Sequence, residues 1–600
     1  MNVLGIIGLG ENPGACLVRD GALVALGEEE RFTRVKGSHG LFPSRAVAWC
    51  LQFAHCDLAD VDRIAFGWDA DEYPWTVGRH LARTFLTHRR RAAHASRREP
   101  GGPPYDVAAE ALLRWPPGVV RRKVRDGLRA AGLRGDIPPI EFVPHHMAHA
   151  YSAYAMSGFD RAGILTIDGS GERVTTQLAV GTDGEIRVVE AFTIPDSLGW
   201  FYAAMTQYLG FVPYRDEGKL MGLAALGEAR AATNAWVEPL GRFLTIESGS
   251  YRVDPIYSHF GGHHDGDRFT DALADLLMSV DPDARPIAYG EKVDVSGRQV
   301  SRYLQDRYVD IAWASQHLLE QAAVGLARRL VQEHGVSDLC LAGGVALNCK
   351  MNGEVLRHSG IDRLFVQPAS NDTGAALGAA LYVSRQLGAE VRRPLRHVYY
   401  GPGFDNDEIR RALDVSRLSY RSIEDPATEA ATLLAEERII AWFQGRMEFG
   451  SRALGARSIL ANPASAGMRD RVNQEVKFRE PWRPFCPSLT SGAESTYLVD
   501  PGNAAFMIVA YDATDACRDH LGAIVHVDGT VRPQVVEAET NPRFHALIAA
   551  VGRETGHPVV LNTSFNVRGE PIICTPQEAI RGFFSTGLEA LVIGNSVVTK

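Results

Sequence analysis

What this sequence lacks excludes several kinds of protein. No apolar run is long enough to span a bilayer. The first residues lack the basic start and the small-residue cleavage site of a signal peptide. The eight cysteines are scattered without a CxxC pair, so their spacing supports neither a disulfide framework nor a zinc knuckle. We therefore expect a cytoplasmic protein that works without a membrane.

Positive charge is not in excess either. The formal net charge of −9 at pH 7 argues against a general attraction to nucleic acid, which is not an expected partner. The composition, 45% hydrophobic and 22% charged, is typical of a globular protein. Because 600 residues are too many for one hydrophobic core, we expect two or more domains.

The residue pattern predicts an α/β protein, because short β-rich runs alternate with helical spacing. Apolar residues recur at helical intervals from Trp313 to Leu330, and Gly335 is expected to end that helix. Glycine-rich or polar loops follow several of the predicted strands, and ligands bind at such strand ends. The predicted strands are residues 3–9, 15–18, 22–26, 163–167, 339–342, 362–366, 439–443, 523–527 and 559–561.

Proline and glycine near residues 390–405 indicate a domain boundary, with one domain at 1–395 and a second at 400–600. Residues 79–130 form a basic insertion, predicted as two helices joined by a loop. Its arginines are interpreted either as a solvated face or as a cap that attracts an anionic ligand.

A metal site is indicated by His145 and His149, which lie four residues apart and would share one face of a helix. Asp168, at a strand end, and Asp372, in a polar loop, are the candidate carboxylate ligands. Two imidazoles with carboxylates and open positions suit iron(II) or manganese better than a closed zinc site. The alternative is a pair of helix histidines bonded to backbone.

Two further sets of residues are candidates for binding nucleotide. Gly343, Gly344 and Asn348 lie in a short loop after a strand, where backbone N–H groups can approach phosphate and an amide can reach a ribose. Plain turns are the alternative for these glycines. The final third carries cations among proline, glycine and aromatic residues, which fits polyphosphate or carbamoyl phosphate better than surface ion pairs. These candidates are Arg452, Lys477, Arg483, Arg532 and Arg568, with Ser564 in the last segment.

At these residues the sequence resembles the carbamoyltransferase family, which includes nodulation, cephamycin and aminoglycoside O-carbamoyltransferases. The resemblance runs nearly end to end, and several long motifs occur in one order. Besides Arg452, the motifs are residues 28–34 (EEERFTR), 145–149 (HHMAH), 168–172 (DGSGE), 217–223 (EGKLMGL), 343–348 (GGVALN), 477–483 and 562–566 (NTSFN).

The resemblance implies an N-terminal domain with the actin-like ATPase fold, like that of the transferases of tRNA threonylcarbamoylation, and a YrdC-like α/β C-terminal domain. In this family the C-terminal domain makes carbamoyl-adenylate from ATP and carbamoyl phosphate, with Mg²⁺ accompanying ATP. Arg452, Lys477, Arg483, Arg532 and Arg568 resemble the cations of that site. The carbamoyl group then passes to a hydroxyl in the N-terminal domain.

In that N-terminal domain, the resemblance implies that His145, His149, Asp168 and Asp372 bind iron (Fe²⁺). The implied acceptor is a small molecule, in the class of antibiotics, sugars and other secondary metabolites. One departure concerns the first loop, where the family has a His-Asp pair whose histidine resembles a base for the acceptor hydroxyl. This chain has Glu11 and Asn12 there. Glu11 is a candidate base if burial raises its pKa.

Two other functions remain open from the sequence. Threonylcarbamoylation of tRNA uses related domains and predicts a basic face, for which the arginines of the 79–130 insertion are the best support. A nucleotide-binding regulator without catalysis is the second alternative, and the missing first-loop histidine supports it.

Overall fold

The computed structural model describes residues 1–73, 75–84, 115–259, 268–295, 298–480 and 482–600. The predicted basic insertion is therefore described only at its ends, where residues 75–84 are helical and a helix spans Pro117–Ala130. The arginines at positions 89–91, 97 and 98, and the proline- and glycine-rich stretch at 100–104, lie outside the described residues.

The first sheet has five strands in the order β3-β2-β1-β4-β5. Strand β1 pairs antiparallel with β2 and parallel with β4, and β5 continues the parallel part. Burial explains the strands, since every residue of β1 after the first is buried. The bounds are Asn2–Ile7 (β1), Gly14–Arg19 (β2), Ala22–Glu28 (β3), Arg63–Phe66 (β4) and Ile140–Phe142 (β5).

The second sheet repeats this arrangement. Its order is β14-β13-β6-β7-β8, with β6 antiparallel to β7 and parallel to β13. Two small hairpins lie between β8 and β13 in the chain. The bounds are Arg161–Ile167 (β6), Val174–Thr182 (β7), Glu185–Thr193 (β8), Leu244–Glu247 (β9), Ser250–Val253 (β10), Lys292–Val295 (β11), Arg298–Ser301 (β12), Asp338–Ala342 (β13) and Arg363–Val366 (β14). Two sheets with the same order and the same strand directions define the actin-like ATPase fold, which confirms the prediction for this part.

A third, mixed sheet of eight strands has the order β15-β24-β23-β16-β17-β22-β18-β21. All its strands come from residues 421–599. The bounds are Arg421–Ser422 (β15), Ile440–Phe443 (β16), Arg457–Ala461 (β17), Cys486–Thr490 (β18), Tyr511–Asp512 (β19), Thr530–Val531 (β20), Gln534–Val536 (β21), Val559–Ser564 (β22), Ala590–Ile593 (β23) and Ser596–Thr599 (β24); β19 and β20 pair separately. An α/β second unit is thus present, and its likeness to YrdC stays a prediction.

The strand predicted at 523–527 is wrong. Turns and irregular backbone occupy these positions instead. The Ile524 N–H bonds to the Leu521 carbonyl within a turn, and the Ala523 N–H bonds to the distant Pro463 carbonyl. Ala523 and Ile524 are buried, so the apolar pattern reflects packing of a loop rather than a sheet. Turn hydrogen bonds satisfy the backbone that a neighbouring strand would otherwise have to pair.

Two helices, His145–Ser157 and Asp372–Gln386, lie between the first two sheets and contact each other closely. A Cβ on Gly378 would lie 1.7 Å from the carbonyl oxygen of Ala148, so the helices cross backbone to backbone. The same packing continues onto β1, where a Cβ on Gly5 would meet the carbonyl oxygen of Ala376 at 2.1 Å. The crossing therefore positions the starts of both helices.

The other helices cover the sheets and connect them. The long helix predicted to end at Gly335 spans Asp306–His334, with Gly335 left-handed at φ 58°. None of the helices in the described ranges is long and apolar enough for a membrane span. The remaining bounds are Glu29–Thr33, Ser44–Phe53, Leu198–Tyr208, Glu217–Ala224, Val237–Leu240, Asp271–Val280, Cys349–His358, Asn406–Val415, Pro426–Ala435, Ala466–Val472, Glu494–Tyr497, Asp515–His520, Pro542–Thr555 and Pro576–Phe584.

The short helix Glu29–Thr33 and the residue after it connect the first part of the chain to the last. Arg31 donates to the Gly450 carbonyl at 2.8 Å. Arg34 donates to the carbonyls of Ile572 at 2.7 Å and Pro571 at 2.9 Å. These guanidinium contacts hold the third sheet against the first.

Candidate functional site

Four side chains from three elements converge at the start of the two central helices. His145 and His149 come from one helix, Asp372 begins the other, and Asp168 follows β6. Their ligand atoms all lie within 4.8 Å of one another. The two imidazole Nε2 atoms are 3.1 Å apart, and each lies 3.2 Å from Asp168 Oδ2. Asp372 Oδ1 is 3.6 Å from His145 Nε2 and 3.9 Å from His149 Nε2.

Hydrogen bonds around the cluster orient its ligand atoms inward. His145 Nδ1 lies 2.9 Å from the Gly67 carbonyl, which can only accept, so a neutral ring presents its lone pair at Nε2. Asp168 Oδ1 accepts from the N–H groups of Gly169 at 2.8 Å and Gly344 at 3.2 Å, which leaves Oδ2 for the imidazoles. The cluster is thus held by backbone on both sides.

The charges of the cluster favour a cation. Burial lowers the pKa of His145, but Asp372 and Asp168 raise it more, and the net pKa lies well above the usual value. Burial raises the pKa of Asp168, yet hydrogen bonds from His145 and His149 bring it well below the usual range. Two carboxylates facing two buried imidazoles carry negative charge that a divalent ion would balance. The donor set therefore fits iron(II) or manganese.

The predicted nucleotide loop lies directly beside this cluster. Gly343 has φ 91°, and the Gly344 N–H supports Asp168. Asn348 caps the helix Cys349–His358 by accepting from the Met351 N–H at 3.0 Å. Its amide also donates to Gln316 at 2.8 Å. These two contacts explain why the Asn348 amide is buried, whether or not it also bonds to a ribose.

The five cations predicted in the final third come together on the side of the third sheet that faces the first part of the chain. Arg452 reaches the Leu347 carbonyl at 3.5 Å. Lys477 Nζ is surrounded by oxygens of Ser564 and Asn566, at 2.7 Å from Asn566 Oδ1. Arg483 and Arg568 both lie 3.7 Å from the carboxylate of Glu480.

Burial and mutual repulsion lower the pKa values of several of these cations. Burial, followed by the charge of Arg532, lowers the pKa of Arg452 to about 9. Burial and the nearby Arg479 and Arg483 bring the pKa of Lys477 well below its usual value. Arg532 behaves differently: burial lowers its pKa, but Cys486 and Cys349 raise it more, and its guanidinium donates to the Cys486 sulfur at 2.9 Å. Bringing uncompensated cations together is unfavourable unless a polyanion binds among them.

Sequence reasoning missed the cations that the first part of the chain adds to this cluster. Lys219 bonds to Asp216 at 3.0 Å and lies 3.5 Å from Glu480. Lys36 is close enough to Arg483 and Lys477 for their charges to influence each other's pKa. Both lysines lie in segments quoted for the family resemblance or next to one. Nothing in their local sequence places them opposite residues more than 250 positions away.

Sequence reasoning also missed the partner of Glu11. Glu11 Oε1 is 2.7 Å from His39 Nδ1, in a loop just before Pro43. The side chain of Glu11 is 33% exposed, and its role as a base stays a prediction.

Both halves of the chain match models of one protein family. Residues 2–381 match the carbamoyltransferase N-terminus, and residues 431–600 match the carbamoyltransferase C-terminus. Nodulation protein NolNO of Sinorhizobium fredii is 34% identical over 98% of this chain and 78% of its own length. The 3′-hydroxymethylcephem-O-carbamoyltransferase of Amycolatopsis lactamdurans is 33% identical over 43% of this chain and 48% of its own length.

One further relative and two solved structures also match. An uncharacterized protein of Synechocystis sp. is 34% identical over 100% of this chain and 97% of its own length. A ROK hexokinase from Thermus thermophilus matches 65% of this chain and 100% of its own at 15% identity, with a TM-score of 0.30. Full-length HypF in the phosphate- and nucleotide-bound form matches 65% of this chain and 56% of its own at 13% identity, also with a TM-score of 0.30. Because both TM-scores are 0.30, these two structures carry no argument here, and the fold is assigned from the strand order and strand directions.

Proposed function

Because this chain belongs to the carbamoyltransferase family, we propose that it is an ATP-dependent O-carbamoyltransferase with two linked reaction sites. At the first site, water hydrolyses carbamoyl phosphate to carbamate and inorganic phosphate, and a carbamate oxygen attacks the α-phosphorus of ATP. Pyrophosphate leaves and carbamoyl-adenylate forms. At the second site, an acceptor hydroxyl attacks the carbamoyl carbon and AMP leaves. The acceptor is a small hydroxylated molecule, in the class of secondary metabolites.

The cation cluster of the final third supports the first step. Arg452 and Lys477 are near other cations that lower their pKa values, and Arg483 and Arg568 share the single carboxylate of Glu480. Convergent arginines bind phosphoryl oxygens bidentately and stabilise charge that develops on pyrophosphate as it leaves. Lys477, held by Ser564 and Asn566, is directed by four oxygen contacts.

The His145, His149, Asp168 and Asp372 cluster supports the second step. These four would hold iron(II) or manganese, which supplies a Lewis acid beside the adenylate phosphate when bound. Asp168 Oδ1 also ties the cluster to Gly344, whose loop is the candidate phosphate cradle. Adenylation makes carbamate a good carbamoyl donor, and the enclosed cluster protects the intermediate from water.

The proposed boundary between the units lies at 395–400, inside residues 387–405, which contain no helix or strand. Arg452, from the second unit, nevertheless reaches the Leu347 carbonyl at the end of the first unit's glycine loop. Such contact supports transfer of the intermediate over a short distance without release to solvent.

Two measurements test this function. Pyrophosphate release from ATP and carbamoyl phosphate reports the first step, and mass spectrometry of hydroxylated acceptors for one added carbamoyl group reports the second. We expect Arg452→Ala to abolish pyrophosphate release, and His149→Ala to keep it while losing transfer. Equal loss of both steps in both variants would contradict the division of roles. No pyrophosphate from the wild-type chain would favour a nucleotide-binding regulator, and a salt-sensitive complex with tRNA would favour tRNA threonylcarbamoylation.

A further inference from the structure

Glu11 and His39 form an acid–imidazole pair that none of the roles above uses. Glu11 Oε1 and His39 Nδ1 are 2.7 Å apart, although the residues belong to two different loops. The side chains are 33% and 48% exposed, so a molecule from solvent can reach the pair. A carboxylate that accepts from Nδ1–H fixes the tautomer in which the basic lone pair lies on Nε2, as in other acid–histidine pairs.

Backbone contacts fix the two loops to one another. The Gly40 N–H donates to the Gly10 carbonyl at 2.8 Å, and the Leu9 N–H donates to the Leu41 carbonyl at 2.9 Å. These bonds join the two residues that follow His39 to the two residues that precede Glu11. The packing of the two loops therefore places Glu11 beside His39, unlike an ion pair between two independently mobile surface side chains.

The same loop also contacts the start of the helix that carries Asp372. Thr373, the next residue after Asp372, donates its hydroxyl to the Asn12 carbonyl at 3.0 Å. A Cβ on Gly14 would lie 2.9 Å from the Thr373 methyl group, so the loop rests directly on this helix. The residue after Glu11 is therefore in direct contact with the residue after Asp372.

We propose that His39 is the general base for the acceptor hydroxyl and that Glu11 positions it. This inference rests on the proposed function. The acceptor oxygen forms a bond to the carbamoyl carbon while its proton moves to His39 Nε2. The bond from that carbon to the AMP phosphate oxygen breaks, AMP leaves with the electron pair, and the imidazolium then releases its proton to solvent. Glu11 stabilises the transient positive charge.

The test compares two nucleophiles that differ in their need for a base. Hydroxylamine attacks as a neutral amine and traps carbamoyl-adenylate as hydroxyurea, whereas trifluoroethanol must lose its proton to attack. With ATP and carbamoyl phosphate present, we expect His39→Ala to lower kcat for trifluoroethyl carbamate by about 100-fold or more. Hydroxyurea formation and pyrophosphate release should stay at the wild-type rate. His358→Ala is the matched control, because it removes an exposed histidine, 3.4 Å from Glu354, at the last residue of the helix Cys349–His358.

Glu11 is tested through its dependence on His39. Glu11→Gln should lower kcat for the alcohol with little change in KM, and Glu11→Asp should recover part of it. The double variant should be no slower than His39→Ala alone, since a positioning residue acts through the base.

The outcomes separate this inference from the function on which it rests. If hydroxyurea forms normally and His39→Ala makes the trifluoroethyl carbamate as fast as the wild-type chain, His39 is not the base. An equal loss with both nucleophiles would also overturn it, as would a wild-type chain that carbamoylates hydroxylamine but never trifluoroethanol. Absence of both hydroxyurea and pyrophosphate in the wild-type chain would instead reject carbamoyl transfer itself.

Discussion

Replacing Arg452 by methionine should make the ligand-free protein more stable and destroy its response to ATP. Burial and the neighbouring Arg532 lower the pKa of Arg452 from 12.5 to about 9. A shift of that size corresponds to about 5 kcal/mol against the charged guanidinium. Part of this cost is relieved by relaxation of the surroundings, so we expect Arg452→Met to gain about 1–3 kcal/mol of unfolding free energy.

ATP should reverse the order of stability. A ligand present at about 100 times its dissociation constant stabilises the folded protein by about 2.7 kcal/mol. The wild-type chain should show this gain, whereas Arg452→Met should show little of it, because the cation that binds the phosphoryl oxygens is gone. The assay is the urea midpoint of unfolding, measured with and without Mg-ATP for both proteins.

Arg438→Met serves as the control for loss of an arginine. Its side chain is 42% exposed and pairs with Glu436 at 3.0 Å, so its removal should change neither midpoint by more than about 0.5 kcal/mol. The reasoning would be refuted if Arg452→Met destabilised the ligand-free chain, or if ATP stabilised that variant as much as the wild-type chain.

Three more predictions follow from individual side chains. Burial raises the pKa of Glu320 from 4.5 to about 7, so ionisation of its carboxyl destabilises the fold as pH rises from 4.5 to 7. Glu320→Gln should therefore raise the free energy of unfolding by about 1–3 kcal/mol in urea melts near pH 8 and change it little near pH 4.5. Equal gains at the two pH values would contradict this cause. His149→Ala should lower the iron or manganese that remains bound to the purified protein about tenfold or more, measured by elemental analysis. The control variant His358→Ala should keep the wild-type metal content. Equal metal content in the two variants would rule out this ligand set. Arg34→Met should lower the free energy of unfolding by about 2–4 kcal/mol, because the Ile572 and Pro571 carbonyls lose their hydrogen-bond donor. It should also speed proteolysis within residues 387–405. Unchanged cleavage would show that other contacts hold the first part of the chain to the last.

Local patterns were sufficient to predict much of the fold and part of the site. The strands at 3–9, 163–167 and 339–342 were predicted from buried apolar runs, and they appear with ends shifted by one or two residues. The convergence of His145 with His149 follows from helical spacing alone. Asp168 was predicted as a ligand because it follows a strand, and α/β proteins usually bind ligands at the ends of their strands.

Contacts between distant parts of the chain were not predictable in this way. Glu11 meets His39 because two loops share backbone hydrogen bonds, and neither loop carries a periodic signal. Lys36 approaches Arg483 only because segments more than 400 residues apart in the chain fold against each other. The error at 523–527 has a similar origin, since burial between elements produces the same apolar pattern as burial within a sheet.

The crossing of the two central helices also bears on which metal ions the cluster can accept. Ala148 and Gly378 meet where no side chain fits, and His149 and Asp372 lie one and six residues from that contact. Gly378, which contacts none of the four side chains, thus sets the spacing between the imidazoles and the carboxylates. Gly378→Ala would push the helices apart and widen the opening, favouring larger, oxygen-preferring ions over iron(II) or manganese. We therefore expect Gly378→Ala to change which ion the proposed metal site prefers, with all four ligands unchanged.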